Sequence, residues 1–141
     1  MSKRIITLGG GMVGSAIARD LKEQKYSVTV ADRDESLKAR LAPFGIDYLN
    51  LDFSNNNAVT DAVKNFDLVI GAVPGFMGFD ILKTVLEAGK DMVDISFMPE
   101  DSRDLTQLAE KNKVTVITDA GVAPGLSNLL FGRALFEYDE L

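Results

Sequence analysis

Ile5-Ile6-Thr7-Leu8-Gly9-Gly10-Gly11-Met12-Val13-Gly14 is a short apolar run followed at once by three glycines, with a fourth three residues on. The apolar run has the length and residue types of a buried strand. The glycines match the pattern G-x-G-x-x-G. Gly9 permits a tight turn, Gly11 lets the backbone approach a pyrophosphate, and Gly14 lets the next helix pack close to the strand. Asp32 stands eighteen residues beyond Gly14, at the end of the next β-branched run. Folds of this kind place an acid there against the adenosine ribose. A glycine turn beside an unrelated surface aspartate is the plainer alternative. The strand before, the helix after and the acid beyond favour a nucleotide loop.

Outward from that loop, β-branched runs alternate with segments of helical period. Strands are predicted over residues 5–8, 28–31, 47–51, 68–72, 92–96 and 114–118, and helices over 12–24, 34–41, 58–65, 79–88, 99–111 and 126–136. Val13, Ile17 and Leu21, spaced by four, are expected to turn the first helix toward the sheet. Pro43 is expected to stop the second, and Gly89 to cap the fourth in the left-handed conformation. Right-handed crossovers then leave strand order 3-2-1-4-5-6. The fold class is α/β: a Rossmann-type, doubly wound parallel sheet with helices on both faces. The 141 residues fit one such dinucleotide-binding domain, and no internal repeat or linker divides them.

Composition narrows the chemistry. Cysteine and histidine are absent, which removes thiol nucleophiles, imidazole bases, disulfides and ordinary zinc sites. No metal ligands are expected. Proton transfer must use Asp, Glu, Lys, Tyr or water, and no residue stands out as the base. A net charge of −6 argues against a nucleic-acid partner, because such binding needs a basic face. The apolar runs are too short to span a bilayer, and Met1-Ser2-Lys3-Arg4 leads straight into a strand rather than a signal-peptide core. The expectation is a cytoplasmic protein with no membrane partner.

Further residues are placed by the fold at the carboxyl ends of strands, where open α/β sheets bind ligands. The dinucleotide set is Gly9, Gly11, Met12, Val13, Gly14, Asp32, Arg33, Asp52, Ala72, Val73 and Pro74. Asp32 accepts from a 2′-hydroxyl and repels a 2′-phosphate, so NAD is favoured over NADP, although Arg33 offers that phosphate a partner. Asp52 has two readings, contact with the adenine edge or the acid of a capped helix. Asp94 and Ser96 either orient the nicotinamide or meet a substrate amine, or else cap the helix that starts at Pro99. Asp119 is expected at the same cleft, with Ser127 and Asn128 donating to a carboxylate or carboxamide from the last helix's N-terminus, or else satisfying turn and helix-end donors. Phe76, Met77, Phe79, Phe97 and Met98 lie just past strand ends, as a nicotinamide-pocket wall, as apolar caps over loops, or as former domain interface.

The glycine loop with Asp32, then Ala72-Val73-Pro74-Gly75, Val93-Asp94-Ile95-Ser96 and above all Asp119-Ala120-Gly121-Val122-Ala123-Pro124-Gly125-Leu126-Ser127-Asn128, resembles the saccharopine dehydrogenase family, nearest its lysine 6-dehydrogenase branch. The resemblance covers essentially the whole chain. It implies a nucleotide-binding domain followed by a larger domain for substrate binding and dimerisation, hence a homodimer. It also implies hydride transfer at the carbon bearing an amino group; substrates in related branches include lysine, saccharopine and carboxylated polyamines. The sequence stops soon after the Gly125 helix, so the implied second domain is expected to be missing and the chain alone to be incomplete for turnover. A rival reading comes from the first fifty residues, which also resemble the NAD-binding regulatory domains of potassium-transport systems.

Overall fold

The computed structural model describes residues 2–138. Its sheet has six parallel strands in the order β3-β2-β1-β4-β5-β6. These are β1 (Arg4–Leu8), β2 (Ser27–Asp32), β3 (Asp47–Asn50), β4 (Leu68–Gly71), β5 (Met92–Asp94) and β6 (Val116–Ile117). The helices are α1 (Met12–Glu23), α2 (Ser36–Leu41), α3 (Asn56–Val63), α4 (Gly75–Glu87), α5 (Thr106–Asn112) and α6 (Leu126–Glu137), with 3₁₀ turns at Ala42–Phe44 and Ser102–Leu105.

Handedness explains the two layers. The chain steps from β1 to β2 to β3 in one direction and from β4 to β5 to β6 in the other, so right-handed crossovers put the two sets of helices on opposite faces. Ala18 of α1 and Leu37 and Leu41 of α2 accordingly pack with Val28 and Val30 on one face. On the other, Ile6, Leu8 and Val69 pack beneath Val59 and Val63 of α3 and Leu82 and Val85 of α4. β1 is covered on both sides, which is why Ile5, Ile6 and Leu8 are all buried and its sequence does not alternate.

Several elements differ from the sequence-based expectation. The fully buried residues of α1 are Gly14 and Ala18, while Val13 is half exposed; the buried face is rotated one residue from the Val13–Ile17–Leu21 line. Small residues occupy it because the helix crosses close to the sheet. α3 starts at Asn56, since Asn55 accepts from the Ala58 N–H as N-cap. α4 starts four residues earlier than expected, at Gly75. Two glycines in its first turn read as loop, yet a Cβ on Gly75 would strike the Phe97 carbonyl. The expected helix from Pro99 begins instead as the 3₁₀ turn after Asp101, whose carboxylate accepts from the Arg103 N–H. Pro43 does not simply stop α2; the chain tightens through it into a 3₁₀ turn ending at left-handed Gly45. No helix among the described residues is long and apolar enough to cross a membrane.

Candidate dinucleotide cleft

The glycine loop is shaped by collisions it avoids. Gly9 has φ +101° and lies against the Ala72 carbonyl, and a Cβ on Gly14 would meet the Gly9 carbonyl oxygen, so neither tolerates a side chain. Gly11 is different. Its φ is −61°, open to any residue, and nothing lies within 4 Å of where its Cβ would be. The space over Gly11 is free, and α1 begins there with no side-chain cap. The first N–H groups of α1 therefore lack an intrahelical acceptor and face that space with the positive end of the helix dipole.

This space belongs to a cleft of about 730 Å³ along the carboxyl ends of β1 to β5, within the range of roughly 300–1,000 Å³ common for ligand pockets. All eleven residues assigned to the dinucleotide from the sequence line it, as does Ser96. Asp32 Oδ2 accepts from Gly10 N–H at 2.7 Å and Oδ1 from Asp34 N–H at 3.0 Å, so this carboxylate also holds the glycine loop in shape. Each oxygen keeps lone-pair capacity for a further donor. Tyr48 donates to the Asp32 carbonyl at 2.7 Å, and burial, followed by the nearby carboxylates Asp32, Glu35 and Asp34, raises the Tyr48 pKa. Arg33 is exposed at the same rim.

Asp52 is not the cap of α3, a role taken by Asn55. It closes its own turn by accepting from Ser54 N–H at 2.9 Å, and the Ser54 contacts, then Arg33, hold its pKa below the usual carboxylate range. Phe53, Ser54 and Ile95 also line the cleft and were not identified from sequence. Their signal was their place directly after β3 and β5. Of the apolar residues past strand ends, Phe76, Met77 and Phe97 wall the cleft, whereas Phe79 and Met98 pack on the core.

Three residues expected on the substrate side do not line this cleft. Asp94 does not reach the cleft: it is wholly buried, its Oδ1 is 2.9 Å from Ser96 Oγ, and burial pushes its pKa up to about 6. Nor does it cap a helix. Asp119 and Asn128 line a separate apolar cavity of about 700 Å³ between β6 and the start of α6, away from the glycine loop. Asn128 Oδ1 there accepts from Gly125 N–H at 3.2 Å, and Ser127 Oγ lies 3.2 Å from the same oxygen, so Oδ1 and the Ser127 hydroxyl serve the start of α6.

A doubly wound sheet with an uncapped helix start, an open glycine and an acid at the end of β2 defines the class of Rossmann-type dinucleotide-binding domains. Residues 5–117 match the family model described as the saccharopine dehydrogenase NADP binding domain, and the chain belongs to that family. Saccharopine dehydrogenase [NADP(+), L-glutamate-forming] of Saccharomyces cerevisiae is 28% identical over 97% of this chain and 31% of its own length. Mouse mitochondrial alpha-aminoadipic semialdehyde synthase is 24% identical over 91% of this chain and 14% of its own. The solved apo structure of the yeast saccharopine dehydrogenase superposes with a TM-score of 0.84 at 25% identity, over 96% of this chain and 31% of that one. An imine reductase from Myxococcus stipitatus, with a TM-score of 0.64 at 21% identity, shares the fold. The chain thus spans under a third of the length of the saccharopine dehydrogenase and semialdehyde synthase that it matches. The family match runs through the whole sheet and gives the potassium-transport alternative no support.

Proposed function

We propose that this chain is the cofactor-holding part of an oxidoreductase acting at the CH–NH or CH–NH2 carbon of an amino acid, with a nicotinamide adenine dinucleotide in the cleft above Gly11. The observation that carries the reading is the open, uncapped start of α1 sharing one cleft with Asp32. The Met12 and Val13 N–H groups hold the diphosphate, and Asp32 accepts from the adenosine ribose. Ala72, Val73 and Pro74 form the wall across the switch point. When bound, the nicotinamide supplies hydride exchange; the protein supplies orientation, charge and shelter from water.

Between the two cofactors we favour NAD. The relatives' names carry NADP(+), which points the other way. At 28% identity, however, the choice turns on the side chain at the ribose, and a carboxylate placed there repels a 2′-phosphate. Arg33, exposed in the same cleft lining, is the counterweight to that repulsion.

The exposed apolar surface of α6 supports a second part to this reading. Leu129, Leu130, Phe131 and Phe136 are all exposed, and no residue of the helix is buried. An apolar helix of that kind needs a partner surface. We propose that it packs against the substrate-binding remainder of the subunit, which would also supply the catalytic base.

Calorimetry with NADH and NADPH tests the cofactor reading. NADH is expected to bind more tightly. Asp32→Asn keeps an acceptor for Gly10 N–H and removes the charge, so it should weaken NADH and tighten NADPH. An NADPH preference in the unaltered chain, or equal loss of both cofactors on Asp32→Asn, would remove Asp32 from the ribose.

A further inference from the structure

Behind the cleft wall lies a cluster with too few protons. Ser96 Oγ is 3.1 Å from the Val73 carbonyl oxygen and 2.9 Å from Asp94 Oδ1. A hydroxyl has one proton to donate, while a carbonyl and an ionised carboxylate only accept. With Asp94 ionised, one of the two contacts has no proton between its oxygens. With Asp94 protonated, its O–H donates to Ser96 Oγ and Ser96 donates to Val73, and both are filled.

Burial favours the second state and outweighs the Ser96 hydroxyl and N–H, which pull toward the ionised form. Asp94 is wholly buried, Ser96 nearly so, and Asp94 Oδ2 has no hydrogen-bond partner. Among the described residues no cation pairs with Asp94. The charged group acting on it is Asp119, another carboxylate, across the strand end where Ala120 N–H meets the Asp94 carbonyl. On the β4 side stands Gly71, whose missing side chain leaves the room that the Asp94 carboxyl fills. A buried, unpaired charge here would be strongly disfavoured.

We propose that Asp94 is a positioning residue whose protonated form ties residues 72–74 to the end of β5 through Ser96 and so fixes the wall opposite the glycine loop. That wall matters because the Ala72 carbonyl lies against Gly9, and the Ala72 Cβ is 3.2 Å from the place a Gly14 Cβ would take. Loss of the Asp94 proton draws the Ser96 proton away from Val73 and slackens the tether. The inference rests on the cleft as the dinucleotide site for its effect on binding, but not for the protonation itself.

The two parts are tested separately. In a chain labelled with ¹³C-aspartate, the Asp94 carboxyl carbon, assigned by its loss in Asp94→Asn, should titrate near pH 6. A midpoint in the ordinary range, about 4, would overturn the proposal. The folded-state pKa is raised, so the stability that the protonated carboxyl contributes is fully present below the unfolded value of 3.8 and is lost as pH rises through about 6. The tether in the folded chain is lost over that upper titration. Calorimetric NAD⁺ affinity, measured from about pH 5 to pH 8, should therefore weaken several-fold across that titration. Asp94→Asn, whose amide N–H replaces the acid O–H as donor to Ser96, should hold the low-pH affinity throughout. Ser96→Ala should bind at the weaker level without pH dependence. Parallel pH curves for the unaltered chain and both variants would refute the tether. If NAD⁺ binds at no pH, the cleft reading fails, while the carboxyl titration still decides the state of Asp94.

Discussion

Gly11 and Gly14 are three residues apart and have opposite needs. Gly14 is buried, and any side chain there drives into the Gly9 carbonyl, so Gly14→Val should lower stability by about 1–3 kcal/mol through overpacking. Gly11→Leu has a permitted φ and free space, so the folded chain should keep its melting temperature. The leucine fills the volume assigned to the diphosphate. NADH affinity should then fall at least roughly tenfold, equivalent to about 1.4 kcal/mol. Thermal unfolding beside calorimetry separates the two effects, and unchanged NADH binding in Gly11→Leu would place the ligand elsewhere. The motif identified both glycines from sequence. The environment of Asp94 was not legible there, because burial and the proton count around Ser96 arise only when β5 is laid beside the loop after β4.

At the scale of elements, caps and close approaches decide where helices begin. α3 depends on Asn55, whose side chain accepts from Ala58 N–H at 3.1 Å. Asn55→Ala should cost about 1 kcal/mol in denaturant unfolding while leaving NADH affinity alone. A loss of affinity would mean that α3 shapes the cleft more than its geometry indicates. The strands and their order were legible from apolar runs and the handedness rule, since a parallel sheet buried on both faces writes itself as continuous β-branched stretches. Helix starts were less legible. Gly75 and Gly78 open α4 for reasons of packing against residues 96–98, a long-range demand that overrides their poor helix propensity. Asp119 and Asn128 lie outside the cleft for a related cause: β6 spans only Val116–Ile117, and both residues line the cavity between it and the start of α6.

The whole molecule has two unlike ends. The carboxyl edge of the sheet carries the cleft, while α6 carries exposed leucine and phenylalanine and β6 the exposed Ile117. If α6 is a packing surface for the rest of a subunit, the 141-residue chain alone should self-associate or bind a hydrophobic dye. Leu130→Lys combined with Phe136→Lys should abolish that behaviour in sedimentation without altering NADH binding; a chain monomeric and dye-silent before substitution would contradict the role given to α6.

The central claim is that the start of α1 grips a dinucleotide, and amide NMR of the ¹⁵N-labelled chain titrated with NADH addresses it most directly. The Gly11, Met12 and Val13 amide resonances should move most and saturate together with those of Arg33 and Ala72. Shifts confined to residues around the cavity at the start of α6, or no saturable shift at the glycine loop, would contradict the account.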